Sequence, residues 1–556
     1  MGRHIVVIDV GSKQSYIFAT NKQVLAVGAS HLVEEATTRW VTDALGIDPA
    51  AWQDDSRVLV LFSGRALLHL TTEEATSMLE TVTRRAIEEA PGLDIWGHVG
   101  DELPDDLTGL PAAVSNALRA LDRQRARRRA PAAAGQSIPF VVPCAFTGAP
   151  ASVLPRRAAD ARARSRGIDL AWESGRSGRD AFVSRIVGDA GEEGRQRVEN
   201  AVVTASELGR GDGVSNAGWV GVIHADGNGM GQIFTNLDRA YPDGQEYLKV
   251  YRALSAATDS ALLSSTRTAV EEVARVHGGA QEPSGWMLPI ILGGDDAAMI
   301  VDGRYAWTFA TALVRGFTDA AAAEPIFAEA LRRTSEVAQG FLPRRLTMAA
   351  GLAYVKPHFP YSHANHLAEA LAQSAKSLKQ LDHSSIDFHV HYESSLRTLS
   401  DVRADHDTED GVQFAGPFVV ADGAPMSSAA PEDLREHGRH RLVADFEGLV
   451  DQVRGPEISN TFVHALRAAC LDGEQARTAL FDRVTERLDL DAAGKKPYRD
   501  LQSHATVEVP AGVPGLAPRF SRIVQAIDLA DVHDPTVPPG GGAATIDATE
   551  GTGAAR

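Results

Sequence analysis

The sequence predicts an α+β fold, and three observations carry that prediction. Apolar segments, Leu288–Leu292 and Ala297–Val301, flank the tetrapeptide GGDD at Gly293–Asp296 and predict two strands joined by a tight turn. Upstream, Trp219–Ala225 predicts a buried strand that delivers Asp226 at its end. Segments with helical spacing of apolar residues separate and follow these strands. This mixture of strands and helices is typical of an α+β fold.

The first part of the chain is a weaker copy of this pattern. Ile5–Ile8 predicts a strand that carries Asp9, and Val58–Phe62 with Ala66–Leu70 predicts a hairpin. Its turn, Ser63–Arg65, contains no acid. A turn without carboxylates lacks the ligands for a two-metal site, so we expect this domain to be structural, with contact to nucleotide from the far side as its further role. We expect Asp9 to be a strand-end capping residue and not a metal ligand.

Charged and glycine-containing segments separate the two copies. Arg119–Arg129 is rich in arginine, and we expect a solvated helix face or a linker, with an RNA-contacting patch as the alternative. Gly175–Gly213 combines Gly, Arg, Asp and Glu, and we expect it to be partly loop.

Further elements follow in order after Asp226. The first is a predicted helix, because six residues are spaced to share one of its faces: Tyr247, Tyr251, Leu254, Ala257, Ala261 and Leu262. The periodicity then predicts helices at Arg304–Arg315 and Pro325–Gln339, a strand at Arg345–Val355, and helices at His363–Leu381, Glu432–Val453, Ser459–Leu471 and Gly473–Leu490. The last residues, Asp534–Arg556, have low complexity and are expected to be disordered.

Composition narrows the class of protein. The chain has 556 residues, 44% of them hydrophobic, and no apolar run of membrane-spanning length. Its N-terminus enters a strand pattern directly, so we expect no signal peptide and no membrane partner. Two cysteines, Cys144 and Cys470, fit a reducing cytoplasm and argue against a cysteine-based zinc site. The net charge of −18 opposes non-specific binding of nucleic acid by the whole molecule.

The predicted strands bring three acids to one sheet edge. Carboxylates of Asp226, Asp295 and Asp296 are the oxygen ligands that Mg²⁺ prefers, and joining a hydroxyl to a nucleotide α-phosphate needs such ions. Glycines at 227, 229, 231, 293 and 294 would let a triphosphate approach the backbone. The simpler alternative is that both motifs are only turns.

Two of these segments resemble a known family. HADGNGMGQIF and ILGGDDAAMIV are similar to the strand-turn-helix and the GGDD hairpin of the large polymerase-like subunit of type III CRISPR effector complexes. Tyr16–Ala36, Pro143–Ala151 and Met348–Lys379 agree with it as well. The resemblance implies two ferredoxin-like palm domains, the first degenerate and the second with GGDD, followed by a helical thumb-like domain.

The resemblance also implies an activity. The second palm of that family condenses ATP into cyclic oligoadenylate second messengers for antiviral defence, with two Mg²⁺ or Mn²⁺ ions. Carried over residue by residue, Asp226, Asp295 and Asp296 are the catalytic metal ligands. The expected substrate contacts are Gly227, Asn228, Gly293, Gly294 and Lys376. Asn228 departs from the family pattern, which has an acid there, and this lowers the expected metal affinity.

The resemblance further predicts domains at 1–115, 116–213, 214–398, 399–533 and 534–556. Its partners would be other CRISPR effector subunits with guide and target RNA. Because the first palm starts near residue 5, we expect none of the histidine-aspartate nuclease domain that many members carry, as in a stand-alone relative. Two alternatives stay open: a non-catalytic scaffold subunit, and a GTP cyclase, whose motif would end in Glu-Phe where this chain has Asp296-Ala297.

Overall fold

The computed structural model describes residues 2–127, 141–153, 162–204, 206–207, 214, 218–278, 284–487 and 495–533. Within these ranges the chain forms two larger sheets covered by helices, and a small sheet near the C-terminus. The predicted tail at 534–556 lies outside the described residues. None of the described helices is long and apolar enough to span a membrane.

The first sheet has four antiparallel strands in the order β2-β3-β1-β4. Strand, helix, two strands, helix and strand follow one another, which is the ferredoxin-like arrangement. Thr71 starts the second major helix with a reciprocal capping box to Glu74. The elements are β1 (Arg3–Val10), α1 (Lys13–Ile17), α2 (Gln23–Thr37), α3 (Arg39–Leu45), a 3₁₀ segment (Pro49–Asp54), β2 (Val58–Phe62), β3 (Arg65–Thr71), α4 (Thr72–Glu89), β4 (Ile95–Leu103) and α5 (Leu110–Arg127).

The segment expected to be partly loop is helical over much of its length. α6 (Arg166–Val187) and α7 (Glu192–Ala201) fill it, and α6 packs along α2. Glycines make this crossing close: a Cβ on Gly28 would lie 1.8 Å from the carbonyl oxygen of Ala171. Gly175 therefore marks a helix crossing, at the start of the segment that the sequence predicted to be partly loop.

The second sheet has six strands in the order β12-β9-β8-β5-β7-β6. Its four strands β8-β5-β7-β6 repeat the topology of the first sheet, and β9 extends it parallel to β8. The elements are β5 (Val220–Asn228), α8 (Met230–Ala240), α9 (Gly244–His277), β6 (Met287–Gly293), β7 (Asp296–Asp302), α10 (Gly303–Ala323), α11 (Pro325–Val337), β8 (Thr347–Val355), α12 (Tyr361–Ala375), a 3₁₀ segment (Lys376–Leu381) and β9 (Ser384–Val390).

The C-terminal part is mostly helical and contributes one strand to the second sheet. Its elements are α13 (Leu399–Asp405), β10 (Asp407–Thr408), β11 (Gly411–Val412), β12 (Phe418–Val420), α14 (Glu432–Arg439), α15 (Val443–Arg454), α16 (Asn460–Asp472), α17 (Glu474–Arg487), α18 (Lys496–Ser503), β13 (Val507–Glu508), β14 (Arg519–Phe520) and α19 (Ile523–Val532). The predicted α+β class with two ferredoxin-like palms is confirmed.

One predicted helix, Glu432–Val453, is wrong as a single element. The chain leaves helical geometry between α14 and α15, where the backbone N–H of Val419 donates to the carbonyl of Arg441 at 2.7 Å. The buried Arg441 guanidinium donates to the carbonyl of Ala415. Pairing with the edge strand β12 satisfies backbone groups that a continuous helix would have used internally.

Candidate functional site

The GGDD hairpin is tighter than the apolar pattern indicated. Gly293 pairs with Asp296 across β6 and β7, so the loop itself contains only Gly294 and Asp295. Gly294 has φ of 62°, a left-handed conformation that favours glycine. Asp296 is the first residue of β7 and not part of the turn. Asp295 therefore lies in the turn at the tip of the hairpin, and Asp296 is the first residue of the following strand.

Asp226 lies directly beside this tip. It occurs within β5, opposite Asp296 of β7. The backbone N–H of Gly227 donates to the carbonyl of Asp295 at 3.1 Å. A Cβ on Gly227 would lie 2.8 Å from the Cβ of Asp295, so only glycine lets the turn pack this closely on β5. Strand pairing thus gathers the three predicted acids from segments about 70 residues apart.

The pKa values of Asp295 and Asp296 reflect how close the acids lie to one another. Burial raises the pKa of Asp295 to about 7, and the nearby Asp226 carboxylate adds to the effect. Burial also raises the pKa of Asp296, against the opposing influence of His224. Within the part of the chain that the structure describes, the buried Oδ1 of Asp296 accepts no hydrogen bond. Crowded carboxyl oxygens with an unused acceptor favour a cation at this position.

Basic side chains lie next to Asp226 and Asp296. Lys376 begins the 3₁₀ segment after α12, and its ammonium contacts the Asp226 carboxylate. The Nε2 of His224 lies 3.7 Å from the Oδ1 of Asp296. On the hairpin itself, Arg185 of α6 donates to the carbonyl of Leu292 at 2.8 Å and fixes the end of β6. Lys376, one of the predicted substrate contacts, is therefore brought to the acids.

The donor chemistry fits a divalent metal, although the side chains are not arranged as a ready ligand set. Among the described residues no three His, Cys, Asp or Glu side chains form a group that could hold an ion. The Asp226 carboxylate contacts the Lys376 ammonium group, and the Asp296 carboxylate lies beside the His224 ring. Asn228 is buried, and its amide donates to the Thr347 hydroxyl at 2.9 Å. Asn228 thus supports the end of β5.

A cavity of about 800 Å³ opens beside the hairpin tip and lies between the two palms. Gly293, Gly294 and Asp295 line it from the second palm, and residues of both hairpin strands of the first palm line the opposite side. The two turns approach each other, since a Cβ on Gly293 would lie 3.6 Å from the Cβ of Ser63. The volume suits a nucleotide-sized ligand.

The first palm holds an internal ion pair where the second holds its acids. Asp9 faces Arg65 across β1 and β3 in the same register in which Asp226 faces Asp296. The Nε of Arg65 donates to Asp9 at 2.6 Å, and Arg125 contacts the other carboxylate oxygen. Asp9 is therefore the partner of two guanidinium groups and not a capping residue.

The sequence did not single out two basic residues at the site. His224 lies two positions before Asp226, so the strand period of two places both side chains on one face of β5. This two-residue spacing could have identified His224 from the sequence once Asp226 had been predicted as a metal ligand. Lys13 follows β1 of the first palm, and its Nζ donates to the carbonyl of Ser63. Burial lowers the pKa of Lys13, and the carboxylates of Asp9 and of Asp296 in the second palm oppose that effect. No periodicity connects these two positions, because only the contact between the palms joins them.

Residues 219–384 match the family model of the Cas10/Cmr2 second palm domain. No curated protein matches the chain. The apo Csm1–Csm4 cassette is 12% identical, with a TM-score of 0.44, and the match covers 95% of this chain and 70% of that chain.

Two further structures are similar in outline. The Csm1–Csm4 cassette in complex with one ATP is 10% identical with a TM-score of 0.41, over 96% of this chain and 70% of that chain. Csm1 in T. onnurineus is 12% identical with a TM-score of 0.39, over the same shares. Such TM-scores leave the superpositions too loose to equate individual residues. The family model covers all three acids and Lys376, so the part of the chain that carries the candidate site is similar to a Cas10/Cmr2 second palm domain.

Proposed function

We propose that this chain is a metal-dependent nucleotidyltransferase that condenses ATP into cyclic oligoadenylate-type second messengers. One observation carries the proposal: Asp226 and Asp296 face each other across β5 and β7, with Asp295 at the adjoining turn, within the residues that match the Cas10/Cmr2 second palm domain. The nucleotide-sized cavity beside the turn supports it.

The carboxylates of Asp226, Asp295 and Asp296 would hold up to two Mg²⁺ or Mn²⁺ ions. Such ions neutralise charge on phosphoryl oxygens and lower the pKa of an attacking hydroxyl. The chain itself binds and orients the substrate. Gly293 and Gly294 line the cavity and would leave backbone open to the phosphates, and Lys376 would be free to turn from Asp226 to them once the acids held metal.

We further propose a setting of antiviral defence in the cytoplasm, with partner subunits that carry guide and target RNA. The net charge of −18 supports the need for such partners, because a strongly acidic chain repels RNA. In the first palm the Asp9 carboxylate already has two guanidinium partners. The first palm would therefore contribute walls and contacts to the cavity and no metal.

A second candidate function is a non-catalytic scaffold subunit. It is favoured by the contact of Lys376 with Asp226 and by the lack of a ready metal-ligating group among the described residues. A scaffold would keep this contact permanently, whereas an enzyme would exchange it for metal and phosphate.

The experiment is incubation of the purified chain with labelled ATP or GTP and Mn²⁺, alone and with an RNA-bearing partner complex, followed by the masses of the products. Cyclic oligoadenylate masses support the proposal. Products formed only from GTP would assign the chain to the GTP cyclases. No product from either nucleotide under any of these conditions would leave the scaffold function.

A further inference from the structure

Three of the four outer edges of the two larger sheets are closed by other described parts of the chain. Arg252 of α9 donates to the carbonyl of Leu59 at 2.7 Å and covers β2. The backbone N–H of Val203 donates to the carbonyl of Met287 at 2.9 Å beside β6, and the bend between α14 and α15 pairs with β12. The fourth edge is β4 of the first palm.

The outer edge of β4 is open along its regular part. Ile95–Val99 pairs with β1 residue by residue, up to a register shift opposite Ile5. Within the part of the chain that the structure describes, Gly97, His98 and Val99 have no backbone hydrogen bond beyond this pairing. Alternate backbone groups of a strand point away from its neighbour, so this edge offers donors and acceptors to a further strand.

One side of this edge is apolar. Gly97 faces α4, because a Cβ there would lie 2.3 Å from Cδ2 of Leu79, and strand alternation places Val99 on the same side. Val99 is 38% exposed. Ile87 follows Leu79 by two turns on that side of α4 and is 70% exposed, more than any other large apolar side chain among the described residues. Both side chains would be covered by a segment that lies along β4.

The other side of the edge is basic. α5 packs on β4, and the Nε2 of Gln124 lies 3.2 Å from the Nδ1 of His98. Burial lowers the pKa of His98, the Arg123 guanidinium lowers it further, and Asp101 opposes both effects. Arg127 follows Arg123 by one turn on the same helix face, and both arginines are exposed. The arginine-rich end of α5 thus lies beside the open edge.

These features together define the chemistry of an occupant. An added strand has a side-chain period of two, so its residues would alternate between the α4 side and the α5 side. Apolar residues would cover Val99 and Ile87, and carboxylates would meet Arg123 and Arg127. RNA would use the arginines and leave the strand edge and the apolar side uncovered. A second copy of this chain, paired edge to edge, would bring its own arginines to the same face, where like charges repel.

We propose that the open edge of β4 binds an extended segment of a partner protein, with acidic and apolar residues in alternation, as a fifth strand of the first sheet. This docking surface is separate from the acids of the second palm, and it does not depend on the proposed function.

The test measures binding of a fluorescent nonapeptide of alternating glutamate and valine to the full chain by fluorescence anisotropy. The same peptide with its central residues N-methylated keeps every side chain, and we expect it to bind at least about tenfold more weakly because it cannot donate to the edge. The net charge of −18 favours a lysine-valine peptide, so tighter binding of the glutamate-valine peptide would report the local arginines. Equal binding of the methylated peptide, or tighter binding of the lysine peptide, would overturn the proposal.

Two variants test the two sides of the edge. We expect Val99→Glu, and Arg123→Glu combined with Arg127→Glu, each to weaken binding of the glutamate-valine peptide about tenfold. The matched control is Val276→Glu, which changes a valine of α9 that is 36% exposed and should bind as the wild type does. Unchanged binding by both test variants would contradict the assignment of the peptide to β4.

Hydrogen exchange on the unmodified chain gives a readout that needs no variant. Addition of the peptide should slow exchange at Gly97–Val99, and full protection of these amides before any addition would overturn the proposal, since the chain would already cover its own edge. Displacement of the peptide by single-stranded oligouridine would assign the arginines to RNA instead. A dimer of the isolated chain that Val99→Glu dissociates would assign the edge to a second copy.

Discussion

At the scale of single residues, the acids at the hairpin tip destabilise the folded protein when no cation is bound to them. Burial and the Asp226 carboxylate together raise the pKa of Asp295 from 3.8 to about 7. Between these two values the folded protein keeps a proton that the unfolded chain has lost. This group therefore makes the metal-free fold less stable as the pH rises from 3.8 to about 7, and the loss is complete above that range.

The first prediction concerns Asp295→Asn. The variant cannot ionise, so its thermal unfolding in EDTA should lack this pH dependence, and at pH values above about 7 it should be more stable than the wild type by roughly 1–2 kcal/mol after solvent screening. Added Mn²⁺ should stabilise the wild type and have much less effect on the variant. Parallel pH profiles, or equal stabilisation by Mn²⁺, would contradict a charged cluster at this turn.

The second prediction concerns the pair of Arg65 and Asp9. Arg65→Met leaves the buried Asp9 with Arg125 as its remaining guanidinium partner, and we expect a loss of about 2–4 kcal/mol in urea-induced unfolding. Adding Asp9→Asn to Arg65→Met should recover part of that loss, because the uncompensated carboxylate is removed. If the double variant is as unstable as the sum of its single variants, the guanidinium does not stabilise this palm through Asp9.

Sequence reasoning reached part of this site and missed part of it. Asp226, Asp295 and Asp296 were predicted because their motifs join apolar strand segments to glycine-containing turns. Asn228 stays a predicted substrate contact, and its amide nitrogen donates to the hydroxyl of Thr347. Lys13 and Ser63 escaped prediction, since they reach the acids only through the packing of one palm on the other.

At the scale of elements, the crossing of α2 and α6 depends on glycine. The third prediction is that Gly175→Ala lowers the free energy of unfolding by about 1–3 kcal/mol, because a Cβ there would lie 2.6 Å from the Cγ2 of Val24 and 2.8 Å from its carbonyl oxygen. Gly448→Ala is the matched control: in α15 its Cβ would meet nothing within 4 Å, and we expect it to be neutral or stabilising by up to about 1 kcal/mol. Similar effects of both changes in urea unfolding would show that the crossing tolerates a side chain.

Element prediction succeeded where the pattern was local. Both hairpins were predicted from apolar segments that flank a short turn, and the structure moved only their ends, placing Arg65 and Asp296 at the starts of β3 and β7. The break between α14 and α15 and the helix through Gly175 were not predicted. Each depends on a distant partner, the edge strand β12 in one case and α2 in the other.

At the scale of the whole molecule, two copies of one topology face each other with different chemistry at their turns. The sheet orders β2-β3-β1-β4 and β6-β7-β5-β8 match strand for strand. The second copy retains carboxylates at the tip, and the first has a guanidinium and a lysine. The predicted domain boundaries remain predictions, and α5 runs across the one placed at 115.

The fourth prediction concerns control of the proposed activity. With a net charge of −18 the isolated chain should capture RNA poorly, so RNA alone should not change the rate of nucleotide condensation. We expect weak condensation by the isolated chain and a higher rate with a partner assembly that carries guide and target RNA. Full-rate synthesis by the isolated chain, unaffected by either addition, would instead indicate a stand-alone cyclase.

The most direct measurement of the central claim compares nucleotide condensation by the wild type with that of Asp295→Ala combined with Asp296→Ala. The control is Asp105→Ala combined with Asp106→Ala, which removes two adjacent acids from an exposed loop of the first palm. We predict that the GGDD variant keeps its fold by circular dichroism and forms no cyclic oligoadenylate from ATP with Mn²⁺, while the control matches the wild type. Equal product from the GGDD variant and the wild type would contradict the assignment of catalysis to this turn.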